Sequence, residues 1–178
     1  GESALSVTLD AAILAFILVV IFMILRYRLP GAVASVGLIG LVASIIFWIS
    51  AFNASITLPG IAGIILTIGM GVDANVIIYE RIKEELARGI ELQEAIDIGF
   101  KRAFSTILDA NVTTLITGGA LYIVGSGPIK GFALTLIIGI IMSFFTALVI
   151  VKWLLKALAS TKALNSKWLY GTKKEVSK

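Results

Sequence analysis

The sequence contains no cysteine and no histidine. The first absence excludes a disulfide framework and any thiolate metal site. The second removes the commonest general base and the commonest metal ligand. Without them, no nucleophile–base pair emerges from the spacing of the remaining residues, so an enzyme reading finds no support and no cofactor is expected. Proline is scarce, with three in 178 residues, and charged residues make up only 15%. Those charges fall in clumps, and the stretches between the clumps are nearly charge-free. Apolar residues, in contrast, reach 58%, where soluble domains hold about 45–50%. The formal net charge of +4 therefore has a simpler source than nucleic-acid binding, namely the asymmetry of loops around membrane spans.

A membrane helix needs about 20 mostly apolar residues, and five stretches qualify: 7–25, 32–52, 58–79, 104–124 and 131–151. Pro30 and Pro128 stand just ahead of the second and fifth, and Pro59 lies in the first turn of the third. Proline is tolerated there because its missing N–H has no partner within the helix. The fold class expected is all-α, an integral membrane bundle of five transmembrane helices spanning residues 1–156. A basic tail follows over 157–178.

Basic residues orient the bundle. Arg26 and Arg28 follow the first span; Arg81, Lys83, Arg88, Lys101 and Arg102 lie between the third and fourth; seven lysines from Lys152 to Lys178 follow the fifth. Only Lys130 lies on the other side, so the ratio is 14 to 1, and the positive-inside rule assigns the richer side to the cytoplasm. Gly1 is then outside and Lys178 inside. An outside start with no signal segment of its own suggests a piece of a longer chain. The loop 80–102 repeats apolar residues every fourth position (Ile82, Leu86, Ile90; then Leu92, Ile96, Phe100), which predicts two short amphipathic helices lying on the cytoplasmic membrane surface. Trp153 and Trp168 are candidate headgroup anchors.

Polar residues inside the spans carry the functional signal. Asp73 and Asn75 lie in GMGVDANVIIYER; Asp109, Asn111, Thr113 and Thr114 lie in FSTILDANVTT. A charged side chain at mid-membrane costs at least about 2.5–3.5 kcal/mol, so one that persists usually faces a bundle interior and marks an ion or proton path. No lysine or arginine lies within any span. Desolvation without a countercharge favours the neutral, protonated carboxyl, a form that a proton carrier must be able to adopt. Asp73 is thus the candidate relay residue, against the plainer reading of a hydrogen-bonded packing residue. Asp73 and Asp109 fall at matching depth, roughly 8–9 Å inside the same end, where their carboxyls could share hydrogen bonds. Asn75, Asn111 and Thr114 do not titrate and are expected to bond between helices, and Asp10 sits near the outer end of the first span.

Small residues recur at steps of four: Gly63, Thr67, Gly71, Asn75 in the third span and Gly131, Thr135, Gly139, Ser143, Ala147 in the fifth. Such ladders let helix backbones approach closely in lipid, and are expected here to permit sliding. Gly69, Gly118 and Gly119, close to the polar positions, join Gly63, Gly71, Gly131 and Gly139 as candidate packing or bending points.

The stretches TLPGIAGIILTIGMGVDANVIIYERIKEEL, AFSTILDANVTTLI and GSGPIKGFALTLIIGIIMSFFTAL closely resemble the SecD/SecF family of protein-export membrane proteins, on the SecD side, within the resistance-nodulation-division (RND) superfamily. The resemblance covers about Ser3 to Lys156; Gly71 and Tyr79 stand where the family would carry Ala and Phe. It implies a SecD-type half-bundle in the cytoplasmic (inner) membrane, paired with SecF as a separate or fused chain. Its further partners would be the SecYEG channel, the SecA motor and, through an exported domain absent from this sequence, the preprotein. It implies that the proton-motive force drives late translocation, with the Asp of the VDAN word, here Asp73, as relay. The alternatives are a scaffold for SecF and the channel without a relay of its own, or another RND-type proton-driven exporter.

Overall fold

The computed structural model describes residues 2–53, 56–162 and 164–171. Gly1 and the tail lysines Lys173, Lys174 and Lys178 lie outside the described residues. The chain forms α1 (Glu2–Tyr27), α2 (Leu29–Ala51), α3 (Leu58–Ala87), α4 (Leu92–Val124) and α5 (Pro128–Phe145). A π-helical turn (Thr146–Val151) carries α5 into α6 (Lys152–Ala159), and a short 3₁₀ turn (Lys167–Tyr170) follows. Five helical rods are long and apolar enough to cross a membrane, the fifth being the continuous Pro128–Ala159. This is the expected all-α membrane bundle.

Local chemistry sets the helix ends. Thr57 caps α3, its hydroxyl accepting from the Gly60 N–H at 3.1 Å, with Pro59 in the first turn. The α1–α2 corner turns on a single residue, Arg28, whose φ of 56° is uncommon outside glycine. Gly31 makes this corner possible, because any Cβ there would collide with the Met23 carbonyl.

The segment 80–102 differs in form from the sequence expectation. It is helical, but its two halves are direct continuations of the membrane helices rather than separate helices lying flat. Helix α3 runs 30 residues to Ala87, turns through Arg88 and Gly89 (φ 87°), and α4 starts again at Leu92. The period-four apolar residues explain why: Ile82, Leu86, Leu92, Ile96 and Phe100 are all buried in one cluster. They find their apolar partner in each other, so no lipid surface is needed. The charged residues between them pair within the helix, as Arg81–Glu84 and Lys83–Glu80 do at i,i+3.

Helix α3 is central, touching α1, α2, α4 and α5. The two small-residue ladders are partners of each other. Thr135 seats in the hollow at Gly63, Thr67 in the hollow at Gly139, and the Ser143 hydroxyl lies 3.3 Å from where a Cβ of Gly71 would be. Thr135 also donates across the interface to the Gly60 carbonyl at 3.1 Å. The expectation of sliding is corrected here: branched threonines set into glycine hollows interlock, and moving one helix along the other would drive them into backbone. A Cβ added at Gly131 would lie 2.8 Å from the Thr57 hydroxyl and one at Gly118 3.0 Å from Ile137, whereas one at Gly69 or Gly119 would meet nothing within 4 Å among the described residues.

At the charged end, Glu85 is buried (2% exposed) yet ion-paired to Arg102 of α4 and, at 3.1 Å, to Arg88. Arg102 also reaches Glu84 at 3.5 Å. Asp97 of α4 takes Lys152 at 3.1 Å and Lys156 at 2.7 Å. The charged end of α4 is thus held from both sides, and Gly99 brings its backbone against Ile82, where a Cβ would come within 3.0 Å of the Ile82 nitrogen.

Candidate functional site

Above that crossing, toward the membrane interior, α3 and α4 separate around a small open cleft of about 60 Å³. Met70, Asp73, Ala74 and Ile77 line it from α3; Ile107, Ala110, Asn111 and Thr114 line it from α4. Three of the sequence-predicted polar residues, Asp73, Asn111 and Thr114, therefore come together. Met70, Ile77 and Ile107 were not anticipated as lining, since nothing separates them in sequence from ordinary core or lipid-facing residues.

The repeated DANV words are used in opposite ways. In α3 the aspartate faces the cleft, while Asn75, two residues on and so about 200° around the helix, is buried at 3% exposure on the core side. In α4 the asparagine faces the cleft and Asp109 is exposed on the outer face. Asp73 and Asp109 share no hydrogen bond, and neither carboxylate has an ion-pair or hydrogen-bond partner among the described residues.

Asn75, Thr113 and Thr114 bond within their own helices rather than between helices, and the Asn111 side chain has no hydrogen bond among the described residues. Asn75 donates to the Gly71 carbonyl at 2.8 Å, Thr113 to Asp109 at 2.9 Å and Thr114 to Ala110 at 3.0 Å. A short side chain one turn from a backbone carbonyl reaches it first. The buried Oδ1 of Asn75 has no partner among the described residues. Asp10 is exposed on α1.

The outer face of α4 has its own pattern. Thr106, Asp109, Thr113 and Thr117, spaced by three, four and four along one stripe, are all exposed. Asp73 is exposed beside them across the cleft. Polar side chains at this depth are stable in a bilayer only when another protein surface or a water-filled cavity covers them. The arrangement is thus half of a site: an acid and a set of hydroxyls and amides, open on one side. Among the described residues, no three His, Cys, Asp or Glu side chains group as a metal site would require.

Residues 1–161 match the family described as protein export membrane protein SecD/SecF, C-terminal. The chain is similar to the protein translocase subunit SecD of Acidaminococcus fermentans, 46% identical over 173 residues, covering 97% of this chain and 42% of the relative. It is similar to that of Rickettsia prowazekii, 54% identical over 155 residues, covering 87% and 30%. Its fold is similar to the crystal structure of SecDF, a translocon-associated membrane protein from Thermus, with a TM-score of 0.84 and 40% identity, covering 87% of this chain and 22% of that one. The chain thus spans less than half the length of these relatives, and it belongs to the SecD/SecF family of protein export membrane proteins.

Proposed function

We propose that this chain is the membrane half-bundle through which a SecD-type export subunit couples the proton-motive force to late translocation of preproteins across the cytoplasmic membrane. The observation that carries this reading is the exposed acid at membrane depth: Asp73 opens into the α3–α4 cleft beside a polar stripe on α4 that lipid cannot solvate. The partner that covers it is a SecF half-bundle, in a separate chain or fused. SecYEG, SecA and preprotein are the further partners. The charged end faces the cytoplasm, which places fourteen basic residues there and Lys130 outside, as the positive-inside rule requires.

In this reading Asp73 accepts a proton within the covered cleft, where its neutral form needs no countercharge, and releases it to the other side. Asn111 and Thr114 offer hydrogen bonds to the carboxyl or to water in the cleft without titrating themselves. Each charge crossing is worth about 2.3 kcal/mol per 100 mV, which shifts a two-state equilibrium of the helices by about fiftyfold.

A scaffold reading is favoured by one specific observation, the Thr-in-Gly interlock of α3 with α5, which resists movement between those two helices. Export with and without a proton gradient separates the readings, using the full-length complex carrying Asp73→Asn. The amide keeps size and hydrogen bonding but cannot titrate. Loss of gradient-stimulated export in a complex that still assembles supports the relay. Survival of the stimulation makes Asp73 a packing residue and leaves the scaffold.

A further inference from the structure

We infer that the charged end of the bundle is a receptor for the chain's own tail, and that the turn Trp168–Gly171 straps the α1–α2 corner to α3. The contacts are specific. Arg28 Nη1 donates to the Trp168 carbonyl at 2.6 Å, and its guanidinium lies 4.2 Å from the centre of the Trp168 ring. That same carbonyl accepts the Gly171 N–H at 3.1 Å, closing the turn. Tyr170 is 2% exposed within the cluster that holds Met23 and Tyr27 of α1, Val33 and Ala34 of α2, and Tyr79 and Ile82 of α3. Gly171, at φ 87°, lies where a side chain would meet the methylenes of Lys83 at 3.4 Å. One short turn therefore touches the α1–α2 corner and α2, and lies against Lys83 of α3.

The corner it grips is the part of the fold that needs holding. Arg28 adopts φ 56°, ψ −119°, and a side-chain-bearing residue stays in such a conformation only where its surroundings over-determine it. Ring stacking on one side and a carbonyl on the other provide that, and only a planar guanidinium does both at once. Without the tail, the polar ties between this corner and α3 are the Arg26–Glu80 pair at 3.4 Å, with both side chains about half exposed, an arrangement that contributes little, and the contacts of Tyr27 with Glu80 and Lys83. The strap lies beyond the residues that match the family model, 1–161, and the inference does not rest on the proton-relay reading.

A strap that holds two segments together makes each report on the other, so the test is reciprocal. Amide hydrogen exchange is measured on the full-length protein with its partner half in lipid nanodiscs. Trp168→Ala changes the tail and is read at the corner, residues 24–31. Arg28→Gly changes the corner, in a form suited to its backbone conformation, and is read at the tail, residues 167–171. The expected result is about tenfold faster exchange at the unmutated segment in each variant, with exchange across the α3 core unchanged. Hydroxyl-radical labelling of Tyr170 should rise in Arg28→Gly. If either variant perturbs the α3 core, Arg28→Lys takes its place. It keeps the charge but cannot stack and donate together, and should accelerate tail exchange by a smaller factor. Exchange at the opposite segment that stays at its original rate in these variants overturns the strap, as does a Tyr170 that is already labelled freely in the unmodified protein.

Discussion

Helices α1 and α4 are the two least buried spans, with 6% and 11% of their most apolar stretch buried, against 39–50% for the other three. Their exposed faces differ in chemistry. On α1 the face reads Ile13, Leu14, Ile17, Leu18, Ile21, Phe22 and Leu25, each at least 48% exposed. On α4 the apolar Phe104, Leu108, Val112 and Ile116 are exposed too, but beside them runs a polar stripe that this face of α1 lacks: Thr106, Asp109, Thr113 and Thr117. Under the proposed function, equal exposure has two meanings: α1 faces lipid, and the polar stripe of α4 faces the partner half. Anchoring differs as well. Helix α1 is held by apolar contacts and an exposed ion pair, whereas α4 is held at its charged end by ion pairs from α3 on one side and α6 on the other.

The largest effect expected from this contrast concerns those ties. Arg102→Ala leaves Glu85 buried with only Arg88, which is itself 62% exposed. Removing one partner of a buried pair costs about 3–5 kcal/mol. Arg26→Ala breaks an exposed pair and should cost less than about 1 kcal/mol. Thermal unfolding of the two variants in detergent should differ accordingly, and equal midpoints would remove the distinction in anchoring.

A charge on each face comes next. Leu18→Lys on α1 puts an ammonium into lipid and should reduce membrane insertion by about 2.5–3.5 kcal/mol per residue at the helix centre. Thr113→Lys on α4 should insert better in the assembled complex than in this half alone, because a partner surface or cavity can solvate it. An insertion assay with and without the partner half measures the difference.

Bulk sharpens the same contrast at lower energy. Ala110→Trp fills the cleft mouth that the partner would cover, and overpacking costs about 1–3 kcal/mol, a loss of roughly 5- to 150-fold in association. Leu14→Trp adds similar bulk to α1, where lipid yields. Co-purification of the two halves should fall for the first and hold for the second. A loss for both would mean that α1 also faces protein.

Much of this was legible in the residues. Run length marked all five spans, and the four-residue ladders on spans three and five proved to be each other's partners, because small residues are placed where backbones must meet. The polar positions of the site were legible because lipid makes them conspicuous. Their orientation was not. The word DANV in α3 and α4 gives no hint that one helix turns its aspartate to the cleft and the other its asparagine, since the choice depends on which face each helix packs. The continuation of α3 and α4 past the apolar stretch was hidden for a related reason: an amphipathic period is the same whether its apolar side meets lipid or another helix. The π-helical turn at Thr146–Val151 lies where α2 presents Gly37, with a Cβ there meeting Val151 Cγ2 at 2.8 Å, a tertiary contact invisible to local sequence. The strap depends on Arg28 and Trp168, 140 residues apart.

The smallest effects test the tail against the core, using two buried tyrosines. Among the described residues, neither the Tyr79 nor the Tyr170 hydroxyl has a hydrogen-bond partner. Burial pushes the Tyr170 phenol up from 10.0 to about 12. A phenol held neutral when docked binds its proton more tightly than when released. The docked state therefore keeps this contribution in full below pH 10 and loses it as pH rises from about 10 toward 12. Once the base-catalysed intrinsic rate is divided out, protection of the tail should fall over that window, and Tyr170→Phe should remove that fall while keeping the strap. Tyr79→Phe removes an unsatisfied buried hydroxyl from a packed ring that lies 5.6 Å from that of Tyr27. Deleting a polar atom that bonds to nothing costs little and can stabilise, so its unfolding midpoint should match or slightly exceed the parent. A clear drop would mean that the Tyr79 hydroxyl is satisfied in the membrane by water or a partner group, and that the charged end of the bundle, like the face of α4, is completed by something outside this chain.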